Sequence, residues 1–214
     1  VNKGQLNQYK KLLPNGNNLG LKISFLEQDK PRGLPDAFIL GEKFLNGSPS
    51  TLILGDNIFF GGSLSDLLKK TYVQTSGATI FCYHVSNPES YGVVDYDHNG
   101  NVQRIIEKPK KPPSNYAITG LYFLDHTAPE RAKQLKPSSR GELEITSLLE
   151  SYMNDNSLKI EKMESGYAWL DTGTHESLLE AGIFVNTLSR RQGLKIGSPD
   201  DVAYNLKWIT KQRS

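Results

Sequence analysis

Residues 33–56 read GLPDAFILGEKFLNGSPSTLILGD, and this stretch decides the class of fold. Its first half repeats apolar and small residues at helical intervals, which predicts a helix over 33–45. Its second half, 50–55, is a short apolar run bounded by turn residues, which is typical of a strand buried on both faces. A helix followed directly by such a strand is the repeating unit of α/β proteins. We therefore predict a buried parallel strand that ends just before Asp56.

The same alternation continues on both sides of that stretch. Upstream, residues 6–13 have helical spacing, and LKISFL at 21–26 is predicted as a strand. Downstream, Ser63 is placed to cap a helix, and residues 78–85 form another apolar run that predicts a strand. Helices and strands in alternation predict a parallel sheet with helices on both of its faces.

The middle of the chain has a different pattern. GVVDYD, HNGN and VQRIIEK at 92–108 place an Asn-Gly turn between two apolar runs, which predicts a hairpin and therefore antiparallel strands. The three prolines of KPKKPPS, at 108–114, exclude regular structure and predict an exposed loop. The remaining expected elements are a strand at 115–124 and helices at 141–153, at 174–188 and from about Asp200 onward.

Composition excludes several classes of protein. The 25 Lys and Arg residues against 23 Asp and Glu give a net charge of +2 with both signs interspersed, so bulk nucleic-acid binding has no support. No run approaches the roughly 18 apolar residues of a membrane helix, and the N-terminus lacks the apolar centre of a secretory signal. We expect a cytoplasmic protein without membrane partners. The single Cys82 lies in an apolar run and is expected to be a buried thiol.

Two carboxylates are the first candidate binding groups. Asp56 follows a predicted strand at its carboxyl end, which is where open α/β sheets bind ligands. Asp171 precedes the helix predicted from residue 174. Carboxylates in such places can hold Mg²⁺, which prefers hard oxygen ligands, but they equally suit a turn or a helix cap. Whether the two residues meet is not decided by their positions in the sequence.

Three further candidates carry charges suited to a sugar phosphate. Glu107 can accept hydrogen bonds from sugar hydroxyls, and Lys108 and Arg140 can neutralise a phosphate. The alternatives are a surface ion pair and a solvated arginine. The sequence has no G-x-S-x-G, H-E-x-x-H, G-x-G-x-x-G or Walker A motif, so four common enzyme classes lack their signals.

Six motifs in one order give the chain a family resemblance. They are LEQDKPRGLPDAF (26–38), LILGDNIFFG (52–61), YGVVDYD (91–97), EKPKKPPSNYAITGLYF (107–123), SSRGELEIT (138–146) and YAWLDTGT (167–174). Together they resemble the bacterial glucose-1-phosphate thymidylyltransferases, which are sugar nucleotidyltransferases, from about Val1 to Trp208. The resemblance implies a three-layer, Rossmann-like nucleotide-diphospho-sugar transferase fold with a mixed, mainly parallel sheet.

The resemblance also implies an activity and the groups that perform it. The family transfers a thymidylyl group from dTTP to glucose 1-phosphate with Mg²⁺, giving dTDP-glucose and pyrophosphate for nucleotide-sugar pathways of the dTDP-rhamnose type. Motif positions assign nucleotide binding to Gln28, Gly33, Leu34 and Asp56, and the metal to Asp56 and Asp171. The sugar would contact Tyr91, Gly92, Glu107, Ile118 and Trp169, while its phosphate would be held by the catalytic cations Lys108 and Arg140.

The chain departs from the family pattern at three positions. Asp36 stands where the family usually has Gln, Ile118 where it has Val, and Ser147 where it has Asp. We expect Ile118 to narrow the sugar pocket and Asp36 to add a negative charge near the nucleotide loop.

The family's N-terminal G-G-x-G-T-R loop and a lysine downstream of it have no counterpart in this sequence. We therefore expect residues 1–214 to be a single incomplete domain, truncated at both ends and nearly inactive by itself, because that loop would bind the triphosphate. By the same resemblance, the expected assembly is a homo-oligomer, specifically a homotetramer.

Two other functions stay open. One is a sugar-1-phosphate nucleotidyltransferase that uses UTP, since an amide at Gln28 suits any pyrimidine. The other is a non-catalytic module that binds sugar nucleotides or supports assembly, which the missing loop favours and the retained Asp56, Asp171, Lys108 and Arg140 oppose.

Overall fold

The computed structural model describes residues 1–13 and 15–210. The helices are α1 (Leu6–Leu12), α2 (Asp36–Leu45), α3 (Leu64–Tyr72), α4 (Ala128–Gln134), α5 (Ile145–Asn154), α6 (His175–Gln192) and α7 (Pro199–Asn205). The strands are β1 (Ser50–Ile53), β2 (Asn57–Gly61), β3 (Ala78–His84), β4 (Gly92–Tyr96), β5 (Val102–Glu107), β6 (Tyr116–Leu124), β7 (Leu158–Met163) and β8 (Tyr167–Asp171). These elements form two compact units, Arg32–Thr172 and Val1–Pro31 with Gly173–Ser214.

One six-stranded sheet organises the unit Arg32–Thr172. Its order is β5-β4-β6-β3-β7, and β1 also pairs with β6. Among the described strands only β3 and β7 run parallel, while the other pairs are antiparallel. The α/β class and the mixed sheet are confirmed, but the prediction of a mainly parallel sheet is wrong for these strands. An apolar run in the sequence predicts that a strand is buried. Whether that strand is parallel or antiparallel depends on which other strand pairs with it.

Two strand predictions also need correction. β1 is antiparallel to β6, and its residues alternate between half-buried and exposed, with Ile53 56% exposed. Residues 21–26 form no strand, and the only pairing described nearby is an isolated bridge between Asn2 and Gln28. A strand requires a partner for its backbone groups, and the alternation of apolar residues cannot supply one.

The sheet is covered on both faces, as predicted. Helices α2, α4 and α5 pack on one face through a core that includes Phe38, Ile80, Ala132, Leu148 and Tyr152. On the other face, α3 and β2 pack against Phe81, Leu121 and Met163. Full burial of one large apolar side chain contributes about 1.5–3 kcal/mol, so these two cores hold the layers together.

Most of the remaining predicted elements are confirmed. The hairpin at 92–108 is β4 and β5, and Cys82 is fully buried as a free thiol. Ser63 precedes α3 but does not cap it, because its hydroxyl lies 2.6 Å from the Tyr167 hydroxyl instead. The pair formed by β2 and β8 was not predicted from the sequence.

The unit Val1–Pro31 with Gly173–Ser214 contains α1, α6 and α7. The Thr174 hydroxyl accepts a hydrogen bond from the Ser177 backbone N–H, and the Ser177 hydroxyl accepts one from the Thr174 backbone N–H, so a capping box starts α6. At the start of α7, the Ser198 hydroxyl accepts a hydrogen bond from the Asp201 backbone N–H at 3.3 Å. None of the helices within residues 1–13 and 15–210 is long and apolar enough to cross a membrane.

Asp125, directly after β6, ties three elements together. Its carboxylate accepts hydrogen bonds from the Gly77 backbone at 2.7 Å, the Thr127 backbone at 2.9 Å and the Tyr152 hydroxyl at 3.0 Å. Burial opposes the charge, but these hydrogen bonds outweigh it and hold the pKa of Asp125 below its ordinary value.

We expect Asp125→Asn to lower the free energy of unfolding at pH 7 by about 2 kcal/mol, because the amide cannot accept from both Gly77 and Thr127. Because the pKa of Asp125 is lowered in the folded state, its carboxylate stabilises the fold at pH values above the ordinary carboxyl pKa. This stabilisation is lost as the pH falls through the folded pKa. The deficit should therefore shrink below pH 3.8, the ordinary value. Urea unfolding across pH measures this, with the exposed Asp66→Asn as the matched control. A deficit independent of pH would contradict the expectation.

Candidate active site

Most of the predicted site residues line one cavity of about 330 Å³ within the unit Arg32–Thr172. Ten of the twelve are in its wall: Leu34, Asp56, Tyr91, Gly92, Glu107, Lys108, Ile118, Arg140, Trp169 and Asp171. They come from segments far apart in the sequence, so the fold itself assembles this set.

The other two predicted residues are placed differently. Gly33 is not in the cavity wall, but it packs against the backbone of Leu143. Leu143 is part of the wall. Gln28 belongs to the other unit, where its backbone N–H donates to the Val1 carbonyl at 2.8 Å. Its assignment to the thymine base stays a prediction.

The two aspartates are brought together by β2 and β8. Asn57 is paired with Asp171 in this antiparallel ladder, so Asp56 and Asp171 lie at the same end of it. The Thr172 backbone N–H and hydroxyl both donate to the Asp56 carbonyl at 2.8 Å, which fixes the end of the ladder.

This pair of carboxylates suits a magnesium ion. No group of three or more His, Cys, Asp or Glu residues that could hold a metal occurs within the described residues. Mg²⁺ does not need such a cage, since it commonly takes one or two carboxylates and completes its shell with waters and substrate phosphates. Asp56 and Asp171 are therefore the residues that could hold it.

Asn57, which sequence reasoning did not single out, connects the aspartates to the rest of the wall. Its amide oxygen accepts hydrogen bonds from the Gly120 backbone at 3.0 Å and from the Trp169 indole at 2.6 Å, and its Nδ2 donates to Asp56 at 2.9 Å. In the sequence, Asn57 is distinguished only by its position directly after Asp56. Its importance follows from the hydrogen bonds that it makes in the tertiary structure.

An aromatic group forms another part of the wall. The buried Trp169 ring lies 5.1 Å from the Tyr91 ring and 6.1 Å from the Tyr83 ring, centroid to centroid. A β-carbon on Gly92 would stand 3.0 Å from the Thr146 methyl group and 3.5 Å from a Glu107 carboxylate oxygen. The site therefore offers a flat apolar surface next to a carboxylate, a combination suited to a sugar ring.

Arg140 is held by Glu144 and Glu142, which were not predicted from the sequence, and lies near the predicted Glu107. Its guanidinium makes two hydrogen bonds to Glu144, of 2.6 and 3.1 Å, and lies 3.5 Å from Glu107 and 3.8 Å from Glu142. The hydrogen bonds to Glu144 raise the pKa of Arg140. Burial alone would raise the pKa of Glu144, but Arg140 and Ser138 lower it. Arg140 is thus fixed in direction before any ligand binds.

Lys108 is the second cation of the wall. Its φ angle is 41°, in the left-handed region that costs about 1–2 kcal/mol for a residue with a β-carbon. Its N–H donates to the Tyr91 carbonyl at 3.0 Å, which holds this conformation at the end of β5. Within the described residues its ammonium makes no ion pair, so an anionic ligand would not have to displace one.

Glu107 directly precedes Lys108 and lies near Arg140 and Gly92. Burial, followed by the nearby charge of Glu144, raises its pKa, while Thr146, Arg140 and Lys108 act in the opposite direction. The folded state therefore binds this proton more tightly than the unfolded chain, so stability falls as pH rises from 4.5, the ordinary value, through the folded pKa.

We expect Glu107→Gln to raise the melting temperature of the ligand-free protein at pH 7 and to leave it unchanged near pH 4. The same variant should bind glucose 1-phosphate about tenfold more weakly or worse, because a charged hydrogen-bond acceptor is lost. Calorimetry of unfolding and of binding measures both effects. Glu161→Gln, which breaks a partly exposed ion pair with Lys159, is the matched control. A variant less stable at pH 7 than the parent would contradict this.

Comparison with known proteins gives a consistent result. The family model for nucleotidyl transferases matches residues 1–187. A glucose-1-phosphate thymidylyltransferase of Neisseria meningitidis is 48% identical over 205 residues, which are 96% of this chain and 71% of that protein. Proteins of the same name from Xanthomonas campestris and Mycobacterium tuberculosis are 47% and 46% identical, also over 96% of this chain and over 70% and 71% of their own lengths.

Solved structures agree with the sequence comparison. A crystal structure assigned as a glucose-1-phosphate thymidylyltransferase of Bacillus anthracis, in complex with sucrose, superimposes with a TM-score of 0.78 at 34% identity, over 94% of this chain and 77% of that one. A UDP-glucose pyrophosphorylase with UDP-glucose has the same fold at 21% identity, with a TM-score of 0.70 over 87% of this chain and 78% of that one. The chain belongs to the glucose-1-phosphate thymidylyltransferase family of nucleotidyl transferases.

Proposed function

We propose that this chain carries the active-site residues for transfer of a thymidylyl group from dTTP to glucose 1-phosphate, with release of pyrophosphate. One observation carries the proposal: a single cavity combines two neighbouring carboxylates, two cations and an aromatic wall with a carboxylate beside it. Each of these matches one part of the substrates, namely the metal-bound phosphates, the sugar phosphate and the sugar ring.

The sugar-phosphate side of the cavity would prepare the attacking group. Lys108 and Arg140 would bind the phosphate of glucose 1-phosphate, and Glu107 would accept hydrogen bonds from sugar hydroxyls while the ring packs on Trp169 and Tyr91. Because Glu144 already orients Arg140, little side-chain freedom is lost on binding. A phosphate oxygen of the sugar would then attack the α-phosphorus of dTTP, and the bond to pyrophosphate would break.

The nucleotide side of the cavity would hold the α-phosphate in line with that oxygen. Asp56 and Asp171 would hold Mg²⁺, which when bound offsets negative charge on the α-phosphate. Leu34 and Gly33 would pack near the base, and the Gln28 amide would read its edge, since an amide both donates and accepts. Positioning and charge neutralisation, without a protein nucleophile, suffice for such a displacement.

Pyrophosphate release from dTTP, with Mg²⁺ and glucose 1-phosphate, tests the proposal. It should be measured on the 214-residue chain, together with its affinity for dTDP-glucose, and the relative from Neisseria meningitidis is the positive control. We expect dTDP-glucose binding by both proteins and, in this chain, weak turnover that requires both substrates. A preference for UTP would reassign the nucleotide. Binding without turnover in this chain would favour a non-catalytic module, and absence of both would reject the assignment.

We further propose, from the resemblance alone, that the protein works in the cytoplasm as a homotetramer and supplies dTDP-glucose for polysaccharide precursors. Light scattering on the purified protein tests the assembly, and a monomer at micromolar concentration would contradict it.

A further inference from the structure

Asn57 has both polar side-chain atoms engaged at the edge of the cavity. The Oδ1 atom accepts from the Gly120 backbone N–H at 3.0 Å and from the Trp169 Nε1–H at 2.6 Å, and Nδ2 donates to Asp56 Oδ1 at 2.9 Å. One amide thus joins β2, β6 and β8.

The orientation of this amide is decided by its neighbours. Gly120 N–H and Trp169 Nε1–H can only donate, so the oxygen must face them and Nδ2 must face Asp56. Rotating the amide by half a turn would set its NH₂ group against two donors. The contact with β6 is also close, because a β-carbon on Gly120 would overlap the Asn57 amide.

These bonds have a consequence at each end of the amide. The bond from Nδ2 restrains the rotation of the Asp56 carboxylate, which decides the oxygen presented to a cation. The bond to Oδ1 restrains the indole of Trp169, which is buried and packs on Tyr91.

We propose that Asn57 is a positioning residue that couples the cation end of the cavity to its sugar end. The proposal rests on the proposed function, which gives the cation to Asp56 and Asp171 and the sugar to Trp169. Asn57 itself needs no contact with substrate, because its two polar atoms serve the residues that make those contacts.

Asn57→Asp separates the two roles of the side chain. The new carboxylate keeps an acceptor for Gly120 and Trp169 but loses the donor to Asp56. Asn101→Asp is the matched control, because Asn101 Nδ2 also donates to an aspartate, Asp97 Oδ2 at 3.1 Å, in the hairpin turn between β4 and β5. Both variants make the same change of charge and remove the same kind of hydrogen bond.

Two measurements on the 214-residue chain decide the proposal. The first is the ¹⁵N–¹H resonance of the Trp169 indole without ligand, which is assigned with Trp208→Phe because the chain has two tryptophans. The second is dTDP-glucose affinity by titration calorimetry in EDTA and in Mg²⁺. For Asn57→Asp we expect the indole resonance to stay downfield, as in the parent. Its affinity for dTDP-glucose in EDTA should lie within about threefold of the parent's. The gain in this affinity on adding Mg²⁺ should be at least tenfold smaller than in the parent. Asn101→Asp should keep the full gain.

Two results would overturn the proposal. One is an Asn57→Asp variant whose gain from Mg²⁺ equals or exceeds that of the parent. The other is an Asn57→Ala variant whose Trp169 indole resonance does not move upfield. The indole resonance is measured without ligand, so it tests the role of Asn57 independently of substrate binding. A parent chain that fails to bind dTDP-glucose would reject the proposed function, and the indole resonance would still show whether Asn57 positions Trp169.

Discussion

Replacing Asp171 with asparagine is expected to lower kcat/KM for pyrophosphorolysis of dTDP-glucose about a thousandfold, the size of effect seen when one electrostatic group of a phosphoryl or acyl transfer site is removed. An amide keeps the shape of the side chain but removes half of the negative charge that Asp56 and Asp171 present together. Loss of this proposed metal ligand should therefore affect turnover far more than folding. The measurement is the initial rate of dTTP formation at varied Mg²⁺, with unfolding curves for both proteins.

The matched control for this variant is Asp95→Asn. Asp95 lies in the same unit and pairs with Arg104 at 2.7 Å in the β4–β5 hairpin, outside the cavity wall. This variant also removes one carboxylate charge from the unit, and its unfolding curve separates any loss of stability from a change in activity. We expect its kcat/KM to equal that of the parent. An Asp171→Asn protein with more than a tenth of the parent activity would remove Asp171 from the metal site.

Gly33→Ala is expected to lower the free energy of unfolding by about 4 kcal/mol or to prevent folding, which is the largest effect on stability predicted here. Backbone strain and overpacking both contribute. Gly33 has a φ angle of 103°, which a residue with a β-carbon rarely adopts. The added β-carbon would also overlap the Leu143 carbonyl and lie 2.8 Å from the Leu143 nitrogen. Backbone atoms cannot move aside as a flexible side chain can, and the Leu143 N–H is bonded to the Arg32 carbonyl at 2.7 Å.

Gly100→Ala separates these two costs. Gly100 has a φ angle of 82° in the hairpin turn, but a β-carbon there would meet nothing within 4 Å. We expect Gly100→Ala to lower the free energy of unfolding by about 1 kcal/mol, from conformational strain alone. Chemical unfolding of both variants measures the difference, which reports the contact with Leu143. Equal losses for the two variants would show that the contact between Gly33 and Leu143 relaxes without cost.

Sequence patterns succeeded for elements whose signals are local. The Asn99-Gly100 turn predicted the β4–β5 hairpin, and helical spacing located α2, α5 and α6 to within a few residues. The same reasoning failed for β1, predicted as parallel, and for residues 21–26, predicted as a strand. Both failures concern the partner of a strand, which is decided by distant parts of the chain.

The candidate site divides in the same way. The residues with family motifs were named from the sequence, and ten of the twelve line one cavity. Their roles as ligands and catalysts remain predictions. Glu144, Glu142 and the amide of Asn57 were not predicted, because they acquire their importance from hydrogen bonds and ion pairs formed after folding.

The α/β class, the local elements and the identity of the charged groups follow from the amino-acid sequence, since helical periodicity, turn chemistry and residue type are all properties of short segments. The proximity of Asp56 and Asp171 is a result of tertiary structure, because an antiparallel pair between β2 and β8 joins segments with no local signal for each other. The same is true of the orientation of Arg140 by Glu144. Contacts of this kind depend on the packing of the whole unit.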